Sequence, residues 1–269
     1  MSEERQRAVV EQFDRDSEHY LSKHVRAETI RERSRLFDLV NTGERFGRAL
    51  DLGCGPGTLS EDLLRVSEEV WGVDSSEGMI SLATRRIKDT PFRNNLHFEV
   101  GAAEQLRFPD AYFDAVICVG VLRYLESWEK GLQEICRVLK PGGVLVATFY
   151  YRFSLQWIYM CLFGRPLLPL VLMLRGRSLK ECLTKHKAEP LPFSYHKFKI
   201  VCKEVGFTSL ECQHSGFEFY PFRRLFPLLS RYLYLALEPF CFNSRAYGWL
   251  GSICIVKGVK ERSLPSIGD

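Results

Sequence analysis

Two acids and three glycines carry the chemistry most legible in this chain. Residues 49–58 read ALDLGCGPGT, an apolar run that ends in Asp51 and passes through Gly53, Gly55 and Gly57. A glycine-rich bend between a strand and a helix lets a ligand come close to the backbone, because no side chain stands in the way and positive φ is tolerated. The spacing here is G-x-G-x-G, not the G-x-G-x-x-G of a dinucleotide loop. Asp51, two residues before the first glycine, would repel a pyrophosphate and attract a cation.

A second acid closes the run Val70-Trp71-Gly72-Val73-Asp74, 21 residues after Gly53. That is close to the ~20-residue offset at which an acid reaches a pair of ribose hydroxyls. A ligand with a ribose, an ammonium and a sulfonium, such as S-adenosylmethionine, suits both acids better than NAD does.

The elements that must position these residues follow in order. Leu96–Val100 and Phe113–Val119 are short apolar strands, the first followed by Gly101 to Leu106 and the second by Gly120. An amphipathic helix is predicted from Leu125 to Leu139, then a turn at Lys140-Pro141-Gly142-Gly143 and a strand over Val144–Phe149. Two further strands are predicted at Phe207–Cys212 and Ile253–Val259. Apolar strands alternating with helices predict a parallel sheet covered on both faces.

From Ala49 to Phe149 the chain resembles the class I S-adenosylmethionine-dependent methyltransferases. It is most similar to the small-molecule branch that includes the ubiquinone and menaquinone methyltransferases. The motifs that carry the likeness are DLGCGPG, GVDSSEGM, the segment from Gly101 to Asp114 with FPDAYFD, and LKPGG. The resemblance implies an α/β fold: a Rossmann-like, seven-stranded, mostly parallel sheet with helices on both faces. It also implies an N-terminal helical cap; it does not cover residues 150 to about 194, where the residues themselves read as an apolar helical insertion after the fifth strand. By the same resemblance Asp51, Gly53 and Gly55 would face the methionine part of the cofactor, and Gly57 would also belong to the cofactor site. Asp74 would hold the ribose hydroxyls, with Ser75 and Met79 beside the adenosine. Ala103 and Glu104 would lie at the adenine edge, and Val119 under the sulfonium. One departure is Ala102, where many relatives place an Asp that bonds the adenine amino group; Glu104 or a backbone carbonyl would substitute. A plainer role for Asp74 is to cap the following helix. Arg123 and Tyr124 stand on the acceptor side, where relatives often carry histidines. Arg123 cannot act as a base but could pair with an acidic acceptor.

The chain has 269 residues, 46% of them hydrophobic and 26% charged, which fits one globular methyltransferase domain over residues 1–269. Its expected parts are a helical cap over 1–43, a cofactor-binding core over 44–149, an apolar and basic insertion over 150–195, and the last strands over 196–260. A second apolar insertion is expected at 217–248. The polar start predicts no secretory leader. Nine cysteines without CxxC pairs predict a reducing cytoplasm, with Cys118, Cys136 and Cys254 as buried thiols. Cys182-x3-His186 and Cys212-x-His214 lack a second pair at zinc-site spacing, so no metal is assigned.

In the cap, Val9, Val10, Phe13 and Tyr20 share one helical face, and Ile30, Leu36, Phe37 and Val40 another. Tyr20 is a candidate lid or catalytic residue, with His19 and His24 near it in sequence; Tyr124 and His24 complete the catalytic candidates.

Residues 155–174 (LQWIYMCLFGRPLLPLVLML) and 225–237 (LFPLLSRYLYLAL) are apolar, with Arg165 and Arg231 their only charges. Gly164, Pro166 and Pro169 argue against a membrane-spanning helix. Residues 150–204 hold ten Lys or Arg against three Asp or Glu, a balance of +7, whereas residues 1–149 balance at −5. Apolar stretches flanked by Arg175, Arg177, Lys180, Lys185 and Lys187 predict a hydrophobic or amphiphilic acceptor, or a peripheral contact with an anionic membrane from the cytoplasmic side. The bland alternative is a lid that packs its apolar face on the sheet. The leucine content and the lack of a recognition module argue against nucleic acid. A non-catalytic relative kept for binding, or an enzyme acting on a polar metabolite or macromolecule, is the other class of reading.

Overall fold

The computed structural model describes residues 3–24, 36–40, 43, 45–150, 154, 158, 194–215, 229, 232 and 253–262. In the first helix, side chains are described at 6–15 and 17. The chain divides into two compact units, one of Met1–Thr148, Lys199–Glu211 and Val256–Asp269, the other of Phe149–Phe198 and Cys212–Ile255.

Seven strands form one sheet: β1 (Phe46–Leu52), β2 (Ser67–Asp74), β3 (Leu96–Val100), β4 (Phe113–Val119), β5 (Leu139–Tyr150), β6 (Phe207–Ser215) and β7 (Ile253–Lys260). Their order across the sheet is β3-β2-β1-β4-β5-β7-β6. The pairs β1–β2, β1–β4, β2–β3 and β4–β5 are parallel. On the far side, Glu261 N–H donates to Gly206 O and Thr208 Oγ1 to Val259 O. The partner number falls in one strand as it rises in the other, so β6 and β7 run antiparallel. The sheet is therefore mostly parallel, as expected.

Ala49 and Leu50 in β1 and Ala115 to Cys118 in β4 are fully buried. Strands sealed on both faces explain the apolar runs in the sequence. The order reverses between β1 and β4, and such a reversal opens a crevice outside the carboxyl ends of the strands.

The helices are α1 (Glu3–His24), α2 (Thr58–Leu63), α3 (Glu77–Ile87), α4 (Trp128–Val138) and α5 (Tyr195–Glu204). Residues 36–40 are also helical, with Leu36 and Val40 buried. Ile30 lies outside the described residues.

Two expected elements differ. The helix predicted from Leu125 begins at Trp128, because Ser127 caps it by accepting from Lys130 N–H; a short 3-10 turn occupies Leu122–Tyr124. The expected turn at 140–143 is absorbed into the start of β5. There the register jumps from Phe113↔Leu139 to Ala115↔Val144, and Gly142 takes φ of 79°.

Arg137 on α4 organises the segment before β4. Its guanidinium donates to Glu134, Asp110, Phe108 O and Leu106 O. Arg137 thereby holds the Glu134 carboxyl below its ordinary range.

Cys54, Cys118, Cys136 and Cys202 are buried free thiols. Cys254 corrects the expectation: it is joined to Cys212, with Cα atoms 6.5 Å apart. The two lie 42 residues apart and meet only because β6 and β7 are neighbours. His214 Nε2 is 3.9 Å from Cys212 Sγ, so the fold adds the Cys254 sulfur to the Cys212-x-His214 pair that the sequence shows.

Among the described residues no helix is long and apolar enough to cross a membrane. Within 155–174 and 225–237 only Ile158, Leu229 and Tyr232 are described, and all three are exposed.

Candidate active site

The bend after β1 is built from three glycines in the left-handed region. Gly53, Gly55 and Gly57 have φ of 73°, 51° and 72°. At Gly53 a Cβ would stand 2.0 Å from Val121 Cγ2, and at Gly57 one would stand 2.5 Å from Phe98 Cζ. Only glycine meets both demands at these two positions. The bend is laid on the end of β2: Gly53 and Cys54 N–H both donate to Val73 O, at 2.6 and 3.1 Å.

Asp74, the last residue of β2, fastens the bend from the other side. Gly55 N–H donates to Asp74 Oδ2 and Ser76 N–H to Asp74 Oδ1, both at 2.9 Å. Burial pushes its carboxyl up, against those backbone donors, and the nearby Asp14 carboxylate pushes the same way. The cap of α3 is Ser76, whose hydroxyl accepts from Met79 N–H at 3.1 Å. The capping role considered for Asp74 thus belongs to the residue two further on.

Asp51 is 2% exposed, and its Oδ2 accepts from Ser60 Oγ on α2 at 2.6 Å. Its charge is felt by the neighbouring thiols of Cys54 and Cys118. Ser75 is exposed at the mouth of the turn, whereas Met79 is buried in the core face of α3.

After β3, Gly101 N–H donates to Asp74 O. Ala102 is exposed and Ala103 buried. Glu104 Oε1, expected at an adenine edge, accepts from Glu126 N–H at 3.0 Å and from Gln6 Nε2 at 3.4 Å. It thus ties the loop after β3 to the loop after β4 and to α1.

After β4, Val119 is 36% exposed, unusual for a large apolar side chain at the end of a buried strand. Next to it, Gly120 has φ of 69°, no atom within 4 Å of where a Cβ would stand, and an N–H donating to Thr148 Oγ1. Arg123 lies over the Tyr124 ring, 4.5 Å from its centroid, and donates to the Tyr124 hydroxyl. Phe13 of α1 meets Tyr124 edge to face at 5.6 Å. The side chains of His19, Tyr20 and His24 lie outside the described residues.

Two buried thiols accompany the bend, Cys54 within it and Cys118 near the end of β4, and burial disfavours the thiolate form of both. Burial, then the Asp51 and Asp74 charges, pushes the Cys54 thiol well up. Burial and Asp51 push Cys118 up to about 12.

The glycine bend and the position of Asp74 at the end of β2 are as the sequence reads them. Asp14 and Gln6, which reach these loops from α1, leave no local pattern in the sequence.

A glycine bend at the reversal of a parallel sheet, with an acid closing the next strand, is the arrangement of the class I methyltransferases. The methyltransferase domain family matches residues 50–147. A solved S-adenosylmethionine-dependent methyltransferase from Thermotoga maritima superposes with a TM-score of 0.62 at 19% identity, over 94% of this chain and all of that one. A demethylmenaquinone methyltransferase from Symbiobacterium thermophilum is 33% identical over 227 residues, which is 78% of this chain and 89% of that protein. A ubiquinone/menaquinone biosynthesis C-methyltransferase from Geobacter sulfurreducens is 36% identical over 100 residues, 39% of its own length. The chain belongs to the S-adenosylmethionine-dependent methyltransferases of the ubiquinone/menaquinone type. Its cofactor is S-adenosylmethionine. The residues present fit that molecule: Asp51 and Asp74 flank a bend with glycine at three of its five positions, and Val119 beside the open Gly120 is exposed at the end of the next strand.

Proposed function

We propose that this chain methylates a ring carbon of a quinone-like acceptor that carries an apolar tail. The likeness spanning 89% of a demethylmenaquinone methyltransferase carries this reading. The exposed Val119 beside the open Gly120 supports it, because it offers apolar surface where an aromatic ring would lie. Bound S-adenosylmethionine supplies a methyl group activated on a sulfonium.

The chain's residues would then bind, align and exclude water. Asp74 would take the ribose hydroxyls, with Ser75 at the mouth. Gly53, Gly55 and Gly57 would let the methionine part lie against the backbone, with Asp51 favouring its cationic centres from below. Ala103 and Glu104 would line the adenine end, and Met79 would back the adenosine wall. Alignment of this kind can lower a barrier by up to ~7–11 kcal/mol. Arg123 and Tyr124 would meet an acidic ring hydroxyl: the guanidinium favours its ionised form, and an ionised hydroxyl makes the adjacent ring carbon nucleophilic. Tyr20 and His24 are further candidates from the N-terminal helix. The apolar and basic composition of segment 150–195 suits a ligand with an apolar tail or an anionic membrane surface.

Turnover on a matched pair of reduced acceptors tests this. A hydroquinone with a prenyl tail should be methylated at a kcat/KM at least ~10-fold above the same ring without the tail. Equal rates would remove the tail from the account, and methylation of neither would remove the quinone-like acceptor.

A further inference from the structure

Helix α1 crosses the carboxyl edge of the sheet and is fastened to the loops after three different strands. Gln6 reaches Glu104 after β3, Phe13 packs on Tyr124 after β4, and Asp14 reaches the turn after β2. The third fastening differs in kind. Asp14 Oδ1 accepts twice, from Ser76 Oγ at 2.5 Å and from Gly78 N–H at 3.0 Å. Gly78 lets the two backbones touch: a Cβ there would stand 3.2 Å from both Asp14 Cα and Asp14 O.

The chemistry of this contact is specific. The first turn of α3 presents N–H groups without intrahelical partners, and a carboxylate satisfies them and suits the positive end of the helix. Ser76 oxygen donates to Asp14 and accepts from Met79 N–H, so Asp14 orients the capping hydroxyl. Ser76 N–H goes to Asp74. The turn from Asp74 to Gly78 is therefore gripped by one carboxylate from β2 and one from α1.

We propose that Asp14 is a positioning residue that latches α1 over the Asp74–Gly78 turn, so that opening of this latch gates exchange of the cofactor. The proposal rests on the assignment of that turn to the ribose. Once the carboxylate lets go, Ser76 and Gly78 lose their common acceptor, while the ties of Gln6 to Glu104 and of Phe13 to Tyr124 remain.

The test compares native protein, Asp14→Ala, Asp14→Asn and Ser76→Ala. Dissociation of S-adenosylhomocysteine is followed by stopped flow, and hydrogen exchange of α1 amides is followed without cofactor. Asp14→Ala should release the ligand at least ~10-fold faster and speed exchange across Glu3–His24. Asp14→Asn keeps an oxygen acceptor and should stay within ~3-fold of native, and Ser76→Ala should fall between. Should Asp14→Ala fail to fold, the ordering of native, Asp14→Asn and Ser76→Ala carries the test. Release and α1 exchange in Asp14→Ala that match native would overturn the latch, as would equal effects from alanine and asparagine. A native chain that binds no S-adenosylhomocysteine would sink the ribose assignment instead. The exchange arm would still decide the latch.

Discussion

Gly55 N–H donates to Asp74 Oδ2 at 2.9 Å, so the acid at the end of β2 holds the glycine bend before any ligand arrives. One carboxylate thus has a structural partner and a proposed ligand partner at once. The energetic consequence is a site built in advance, in which little backbone order remains to be imposed on binding.

Asp74→Ala should therefore lose two things together. Hydrogen bonds to a charged group contribute about 1.5–3 kcal/mol each. Calorimetry should show S-adenosylmethionine affinity falling ~10–100-fold, and melting should show a lower Tm without ligand. Unchanged affinity would take Asp74 out of the ribose site.

Asp74 also sets a pH dependence of binding. Its carboxyl is held above the ordinary carboxylate range. It therefore gains its proton sooner as pH falls than an exposed carboxyl would, and loses charge and acceptor capacity together. Affinity for the cationic cofactor should decline at a pH where most carboxylates are still ionised, and Asp74→Asn should flatten that decline. An affinity constant down through that range contradicts this.

Gly53→Ala meets both a left-handed φ and the Val121 methyl 2.0 Å away. The conformational cost alone is about 1–2 kcal/mol. The double substitution Gly53→Ala with Val121→Ala should recover part of the lost Tm, because the clash goes and the φ strain stays. Purely additive losses would show that Val121 does not set the glycine requirement.

The acid limb of stability should come from Glu134 and Asp114. Arg137 holds the Glu134 carboxyl low; at Asp114, burial raises the carboxyl but the Lys140 ammonium and Arg48 N–H outweigh it. A carboxyl with a lowered folded-state pKa stabilises above its unfolded value and loses that contribution as pH falls through the folded one. Denaturant midpoints should thus hold near neutrality and drop at and below the ordinary carboxylate range. Arg137→Gln should lower the neutral midpoint and shallow the drop. An unaltered slope would contradict this.

The sequence shows the parts of the fold that depend on neighbours along the chain. The bounds of β3 and β4 agree with the expectation because apolar residues alternate along the first (Leu96, Phe98, Val100) and run on from Ala115 to Val119 in the second, and both stop at glycine. The bend is legible because its three glycines mark a backbone path no other residue takes. What stays hidden joins distant residues. Asp14 and Ser76 are 62 positions apart, and Cys212 and Cys254 are 42 apart. No period or spacing connects them; only strand order and the course of α1 do. The same holds for Glu104, whose ties to Glu126 and Gln6 span 22 and 98 positions.

Transfer of label from S-adenosylmethionine carrying a radioactive methyl group tests the central claim most directly, with native protein and Asp74→Ala incubated with an acceptor-containing lipid extract. Label should enter the organic phase with native protein, migrate as a methylated ring compound, and fall at least ~10-fold with Asp74→Ala at limiting cofactor. Label confined to the aqueous phase, to protein or to nucleic acid, or equal transfer by the variant, would contradict the account.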